Sequence, residues 1–310
     1  MKAFDTVQSA LGFVRQQTAH IEAEVYRYKY PSITYSELIP VDSSAPKWIK
    51  TYTYRSMDSV GLPKWIAGAG QDIPLVDMRR EEVEKPVFMG ALGYRYSLEE
   101  INQAAMLGID LDGDSVFAVR EGYEQFIETL AFDGAPEKNF IGFLSSAAVT
   151  AVSAPNGSGV SPLWANKTPD EVLKDINAIL SGIHTATLTV EMADTVLLPA
   201  AQLNDISSRR LTDGTMTIRQ FIESANVYTA RSGRPLTIRE QRRLSNKGAG
   251  ATARMVAYRR DPTVVKLHLP MPLEFLEKFA WLLEVVTPAA FRTGEVNLRR
   301  PGACRYMDGI

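Results

Sequence analysis

The sequence predicts an α+β protein, and three observations carry that prediction. Runs rich in Thr, Tyr, Val and Ile are grouped early, over residues 48–55 and 83–96, and such residues suit a pleated, half-buried surface. Helical signals then concentrate between residues 97 and 182, each with its own start signal. From Thr187 onward short strands and helices alternate. Strands, then helices, then a mixed region is the pattern of the α+β class.

Composition sets the outer bounds. A chain of 310 residues corresponds to about two domains, and a compact globule of that length would have a radius of gyration of about 19 Å. With 45% hydrophobic and 23% charged residues, wholesale disorder is excluded. Gly 21, Pro 17 and Cys 1 exclude a collagen-like or disulfide-dense chain. The 34 basic and 36 acidic residues leave a net charge of −2, without the basic bias of a nucleic-acid binder. Cys304 can form no internal disulfide, which fits a reducing compartment. Lys2 and Asp5 are not followed by an apolar signal region, and no run reaches the ~18 apolar residues of a membrane span. A soluble protein made in cytoplasm is expected.

The elements follow in order. Phe4, Val7, Leu11, Val14, Thr18, Ile21 and Val25 alternate at spacings of three and four, an amphipathic helical stripe. It is either an arm that docks on a partner chain or a helix lying on its own domain. Tyr30-Pro31 ends it, because the residue before proline is pushed to extended geometry. An extended strap is expected from Ser32 to Pro46, then a strand from Trp48 to Arg55 and a second from Val83 to Tyr96. Between them Ser56–Arg80 holds Gly61, Pro63, Gly68, Gly70 and Pro74 and no helical period. The result is a long hairpin around about 25 irregular residues, a loop length that is usually functional. Trp48, Tyr52, Tyr54 and Trp65 sit in or beside it. An isolated hairpin cannot bury them, so they need a surface of this chain or another.

Ser97-Leu98-Glu99-Glu100 is a capping box that starts a helix running to Gly108. Asp114 is expected to cap a longer helix with Val116, Val119, Tyr123, Ile127 and Leu130 on one face and Asp133-Gly134 at its end. Thr168-Pro169-Asp170-Glu171 starts a helix that buries Val172, Ile176, Ile179 and Leu180 and stops at Gly182. Asn156-Gly157-Ser158-Gly159 is a flexible loop. Beyond it the reading gives a strand over 195–198, a turn at Asp213-Gly214, a helix over 217–224 boxed by Thr217 and Gln220, and a strand over 226–230. Strands over 254–260 and 263–269 should pair around Asp261-Pro262, Phe275, Phe279, Leu282 and Val286 mark a last helix, and short strands at 296–298 and 303–306 close the chain.

No convergent chemistry is visible. His20, His184 and His268 have no metal-ligand spacing with one another or with Cys304. No nucleophile elbow, Walker loop or dinucleotide fingerprint occurs, and Gly248-Ala249-Gly250 precedes a strand instead of following one. Asp110, Asp112, Asp114 and Glu121 resemble a calcium loop, but Gly113 is in the wrong place, and a polar turn explains them. The sequons at Asn156 and Asn166 are chance without secretion. Arg231, Arg234, Arg239, Arg242, Arg243, Lys247 and Arg254 against Glu240 make a local net charge of +6. This run is either a solvated loop or a contact for an anion or a neighbouring chain, with the acidic side chains of the Arg79-Arg80-Glu81-Glu82 and Glu84 segment able to supply the opposite sign. An arm, a long hairpin and no catalytic set suit a subunit that contacts copies of itself.

The order of certain motifs resembles the major capsid proteins of tailed bacteriophages with the Hong Kong 97-like fold. They are Tyr30-Pro31 and the strap to Leu38-Ile39-Pro40-Val41, Trp48 with its aromatic strand, Asp72-Ile73-Pro74-Leu75-Val76-Asp77, and Gly93-Tyr94-Arg95-Tyr96-Ser97-Leu98-Glu99-Glu100. Later come Met255-Val256-Ala257-Tyr258 with Asp261-Pro262, Leu269-Pro270-Met271-Pro272, and Arg299-Arg300-Pro301-Gly302-Ala303. The resemblance implies an N-terminal arm (1–45), an extended β-hairpin loop (46–95), a peripheral domain with a spine helix (96–145 and 290–310) and an inserted axial domain (146–289). It implies pentamers and hexamers of an icosahedral phage head that encloses double-stranded DNA without specific binding and matures from a procapsid. Portal, scaffolding or cement proteins are implied partners, and the virion, assembled in host cytoplasm, is the implied location. No cofactor, metal, membrane or catalytic role is expected. Lys47, Lys50 and Lys64 could donate to the Lys–Asn cross-link some relatives use, but no acceptor is identifiable and non-covalent assembly is expected. A long N-terminal scaffolding segment is not expected in the first 45 residues. The candidate subunit contacts are Trp48, Tyr52, Tyr54, Lys64, Trp65, Arg79, Arg80, Glu81, Glu82, Glu84, Arg231, Arg234, Arg239, Arg242 and Arg243. The alternatives are an encapsulin-like nanocompartment shell and an α/β enzyme with an unread site.

Overall fold

The computed structural model describes residues 31–60, 76–107, 111–211 and 214–310. The chain divides into two units, residues 1–32 and 33–310, and the architecture below is that of the second. The stripe from Phe4 to Val25, Lys64, Trp65, Asp110 and Asp213 lie outside the described residues.

The expected strap contains a short helix, α1 (Tyr35–Leu38), with both end residues buried. Its first amides find a distant partner. The carboxylate of Glu128 accepts the backbone N–H groups of Thr34 and Tyr35, each at 2.9 Å, and so does a capping residue's work. Strand β1 (Val41–Asp42) follows. Strands β2 (Thr51–Val60) and β3 (Asp77–Pro86) form an antiparallel ribbon in unbroken register from Thr51 opposite Pro86 to Val60 opposite Asp77. The strands are therefore longer than the sequence suggests, and the connection shrinks to residues 61–76. The single run expected over 83–96 is broken at buried Val87, whose N–H donates to the carbonyl of Lys50 at 2.8 Å. Beyond it β4 (Phe88–Ser97) belongs to a different sheet.

The capping box at Ser97 forms: its hydroxyl accepts from Glu100 N–H at 3.2 Å, and the Glu100 carboxylate accepts from Ser97 N–H at 2.8 Å. It opens α2 (Leu98–Leu107). The long helix α3 (Leu111–Phe132) starts before Asp114, which lies inside it and is not its cap. Its 22 residues span about 33 Å at 1.5 Å per residue. Val119, Tyr123, Ile127 and Leu130 are its buried stripe. The chain then turns at Gly134, φ +85°, where a Cβ would lie 2.3 Å from the carbonyl of Phe140, and pairs β5 (Gly134–Ala135) with β6 (Phe140–Ile141).

After β7 (Thr150–Ser153), α4 (Pro169–Ala186) is capped by the Thr168–Glu171 box. It runs past Gly182, which does not stop it; a Cβ there would meet the Arg305 guanidinium at 2.1 Å, so the glycine permits a close approach. Strand β8 (Thr195–Leu198) is wholly buried. Helices α5 (Ala200–Ser208) and α6 (Ile218–Ala225) follow, the latter with the Thr217–Gln220 box. The strand expected at 226–230 is instead α7 (Val227–Ser232), because Asn226 Oδ1 accepts Thr229 N–H at 2.8 Å and caps a helix.

Apart from short 3-10 turns at Arg242–Asn246, Ala249–Ala251 and Pro301–Ala303, the remaining elements are strands: β9 (Thr237–Glu240), β10 (Arg254–Tyr258), β11 (Val265–His268), β12 (Met271–Phe275), β13 (Phe279–Trp281), β14 (Glu284–Thr293), β15 (Val296–Leu298) and β16 (Cys304–Asp308). Two expectations fail here. Strands β10 and β11 do not pair; β10 lies between β8 and β16, and β11 between β1 and β15. The helix expected from Phe275 to Val286 is β-structure. Val285, Val286 and Thr287 are β-branched and Pro288 follows, a poor helix but a good strand, and β14 pairs with β4 over all ten residues.

Strands β7-β16-β10-β8-β9 form a five-stranded sheet with a core on each face. Alternation along β10 sends Val256 and Tyr258 into one cluster with Tyr123, Ile127 and Phe143, and Met255 and Ala257 into another with Ile176, Ile179, Ile183 and Ile222. Cys304 sits in the first cluster, and burial pushes its thiol up to about 12, so it stays protonated and unreactive at neutral pH.

Candidate functional site

Among the described residues, no group of His, Cys, Asp and Glu is arranged to hold a metal, and no helix is long and apolar enough to cross a membrane. What the fold presents instead is two kinds of surface, one charged and one apolar.

The β2–β3 ribbon has an inward and an outward face. At its root Tyr52 is buried, its ring 3.9 Å from the imidazole of His268, and Lys85 Nζ lies 2.5 Å from Glu295, whose side chain is buried. Gly294 makes room: a Cβ there would lie 2.7 Å from the Tyr52 ring. Arg299 lies over the ring of Tyr54 at 5.6 Å. The partner surface that Tyr52 and Tyr54 need thus comes from the same chain. Trp48 is 69% exposed, with Arg292 at 5.7 Å from its ring.

Beneath Tyr52, burial lowers the pKa of His268 to about 4; Asp42 opposes the shift, while Lys266 and Arg299 add to it. Asp42 behaves oppositely. Burial raises its pKa, but hydrogen bonds from Ser44 and from Lys266, 2.9 Å away, outweigh that and hold it below the ordinary carboxylate range.

The outward side of the ribbon is charged. Arg80, Glu82 and Glu84 are exposed on it, Glu81 is exposed on the other face, and Arg79 pairs by backbone register with Asp58. Among the described residues Glu82 meets Arg55, at 3.4 Å and in solvent, and Glu81 and Glu84 have no side-chain partner.

The basic run from Arg231 to Arg254 divides in two. Arg243 and Lys247 both pair with Asp133 just beyond α3, and Arg254 holds Asp308 at 2.6 and 2.9 Å. Arg231 meets His184. Arg234, Arg239 and Arg242 are exposed without a side-chain partner among the described residues.

The apolar surface was not anticipated. Strands β13 and β14 are joined by a two-residue turn, Leu282-Leu283. Leu282 has φ +55° and is 91% exposed, beside exposed Trp281, Leu283 and Phe279. The Leu98 N–H donates to the Leu283 carbonyl at 2.8 Å, which brings exposed Leu98 and Met106 of α2 into the same patch. A two-residue turn with positive φ at its first position normally carries glycine there. Apolar residues at such a tip break a local rule, and rule-breaking positions tend to be functional. The sequence reading assigned these residues to a helix, where they would have counted as core; the Trp281-Leu282-Leu283 run close before Pro288 was the available signal.

Comparison with known proteins identifies the family and the fold. The sequence matches the major capsid protein family over residues 61–310. Its fold is similar to the capsid of Myoviridae phage XM1, with a TM-score of 0.78, 17% identity, and 95% of this chain and 98% of that one covered. It is also similar to the structure of Microbacterium phage Oxtober96 (TM-score 0.64, 10% identity, 97% of each chain) and to the capsid of an empty GTA particle (TM-score 0.62, 10% identity, 94% of this chain and 95% of that one). No curated protein matches the sequence. With a family match over most of its length and a capsid fold over nearly all of it, the chain belongs to the major capsid protein family.

Proposed function

We propose that this chain assembles through its exposed surfaces into the pentamers and hexamers of an icosahedral phage head. Among the described residues the ribbon is held to its own chain at the root and presents exposed charge outward; this is the observation that carries the reading. Residues 1–45 act as an arm and 46–95 as the extended loop. Residues 96–145 and 290–310 form the peripheral domain, and 146–289 the axial domain. The contacts between copies draw on Trp48, Lys64, Trp65, the charges from Arg79 to Glu84, and Arg231, Arg234, Arg239 and Arg242, with the Leu282 tip added and Tyr54, covered by Arg299 of its own chain, left out. Tyr52 and Arg243 act indirectly, by fixing the root and the end of α3. Each contact between exposed groups is weak, but a subunit makes many at once, and their joint effect closes the shell.

The role is structural and not catalytic. Double-stranded DNA is enclosed without specific binding, which suits a net charge of −2, since a strongly basic lining would hold the polymer by its phosphates. Portal, scaffolding or cement proteins complete the particle, and assembly takes place in host cytoplasm before the chain resides in the virion. The test is deletion of residues 56–80, which spares Tyr52 and Lys85. The deleted chain is expected to remain folded and soluble and to form no closed shells under negative-stain microscopy; shells like those of the full chain would overturn the reading.

A further inference from the structure

We propose that the cleft between α1, the start of β8 and β9 receives the carboxylates of Glu82 and Glu84 from the ribbon of a second copy. The proposal rests on the shell reading above and names which surfaces meet. The cleft encloses about 780 Å3 and is lined by Arg234, Arg239, Arg260, Tyr228, Asp194 and Glu37, among others. Arg260 is fixed in place: its Nε donates to the carbonyl of Glu37 at 2.6 Å, and its backbone N–H donates to Asp194 Oδ1 at 2.9 Å. The same Asp194 oxygen also accepts from the Thr195 hydroxyl at 2.8 Å. Arg234 and Arg239 have no such engagement among the described residues. Strand β9 is an edge of the five-stranded sheet, with Ile238 buried and Thr237 and Arg239 lining the cleft. A concave site with two uncommitted guanidinium groups beside a third held rigid concentrates positive potential.

The ribbon carries the complement. Glu82 and Glu84 are two apart on β3, hence on one face about 7 Å apart, and that face is opposite the one by which Tyr52 and Lys85 hold the root. Glu84 lies across from Thr53, which cannot neutralise it, and Glu82 is met, among the described residues, by solvent-exposed Arg55, with exposed Arg80 two residues before it on the same face. Two spaced carboxylates match two guanidinium forks, each able to make paired hydrogen bonds. Glu37 and Asp194 line the same cleft, so a bound anion must place its charge at the guanidinium groups and away from these two acids, which discrete carboxylates fixed on a strand can do.

A charge swap tests this in the full chain, with shells counted by negative-stain microscopy and sedimentation. R234E/R239E and E82R/E84R are each expected to lower the shell yield at least about tenfold, and the four-site combination to return it to within about threefold of the unaltered chain. All of these side chains are exposed, so each variant should retain the unaltered circular dichroism spectrum. The milder R234Q/R239Q is expected to lose most of the salt dependence of assembly, since screened charge pairs are what it removes. Undiminished assembly of R234E/R239E, a four-site variant no better than its parents, or unchanged salt dependence would overturn the pairing. An unaltered chain that yields only monomers would instead defeat the shell reading, before any variant is made.

Discussion

The sheet around β10 and the β2–β3 ribbon treat their polar groups in opposite ways. Around the sheet, buried charge is met within the chain. Asp175 receives Lys167 Nζ at 2.5 Å and the Trp164 indole N–H at 3.0 Å, Glu191 pairs with Arg259 and Arg300, and Asp308 takes a two-pronged Arg254. On the ribbon Glu81 and Glu84 have no side-chain partner among the described residues, and at the Leu282 tip leucines face solvent. The difference is what a shell subunit requires. One region must be complete before assembly so that the monomer survives, and another must be left incomplete so that association has something to gain.

The largest effect should come from opening the complete region. Lys167 and Asp175 have side chains only 1% and 2% exposed. Burial raises the Asp175 pKa against the opposing pull of Lys167 and Trp164, so the carboxylate depends on those two donors. D175A strands a buried ammonium and an indole N–H, and a loss of about 3–5 kcal/mol is expected in urea unfolding. K167M/D175L, which replaces the pair with apolar groups, should recover most of it. A D175A loss below about 1 kcal/mol would mean that the region is not completed by this pair, and the contrast with the ribbon would weaken.

A smaller effect belongs to the seam between the two regions. His268, under Tyr52, has a folded pKa of about 4, against 6.5 when unperturbed. The unfolded chain therefore takes up a proton first as pH falls, and the stabilisation from keeping the imidazole neutral is complete above pH 6.5 and is lost between 6.5 and about 4. The loss can reach about 3 kcal/mol. Asp42 contributes in the other way, through a lowered pKa; its stabilisation is present above the ordinary carboxylate pKa and fades only below it, outside the histidine window. Unfolding at pH 7.5, 6 and 5 should show the native chain losing stability progressively, and H268Q should flatten that slope. An unchanged slope in H268Q would place the acid sensitivity elsewhere.

What was legible in the sequence was local. The boxes at Ser97, Thr168 and Thr217 need residues only three apart, and each was readable. The cap that Glu128 provides to α1 comes from 94 residues away, and no window reveals it. The separation of β10 from β11 likewise depends on long-range pairing. Phe275, Phe279, Leu282 and Val286 matched a helical period by coincidence, and the β-branched run with Pro288 should have weighed more. For the contact surfaces, residue type was visible but commitment was not. Arg243 and Arg234 look alike in sequence; one is spent on Asp133 and the other is not.

The smallest effect on stability is also the one whose sign separates the two regions. Leu282 occupies a left-handed backbone conformation, φ +55°, at the first position of a two-residue turn, where a side chain costs about 1 kcal/mol that glycine avoids. If the tip belonged to the self-completed part of the molecule, removing its leucines would destabilise the chain. As a surface kept for another copy, it should do the reverse. L282G/L283N is expected to raise monomer stability by about 0.5–1 kcal/mol in urea while lowering the yield of closed shells. A variant that is less stable yet assembles fully would assign Leu282 to the monomer. Higher stability with poorer assembly would mean that the strain at this turn is retained because its leucines are more useful outside the subunit than within it.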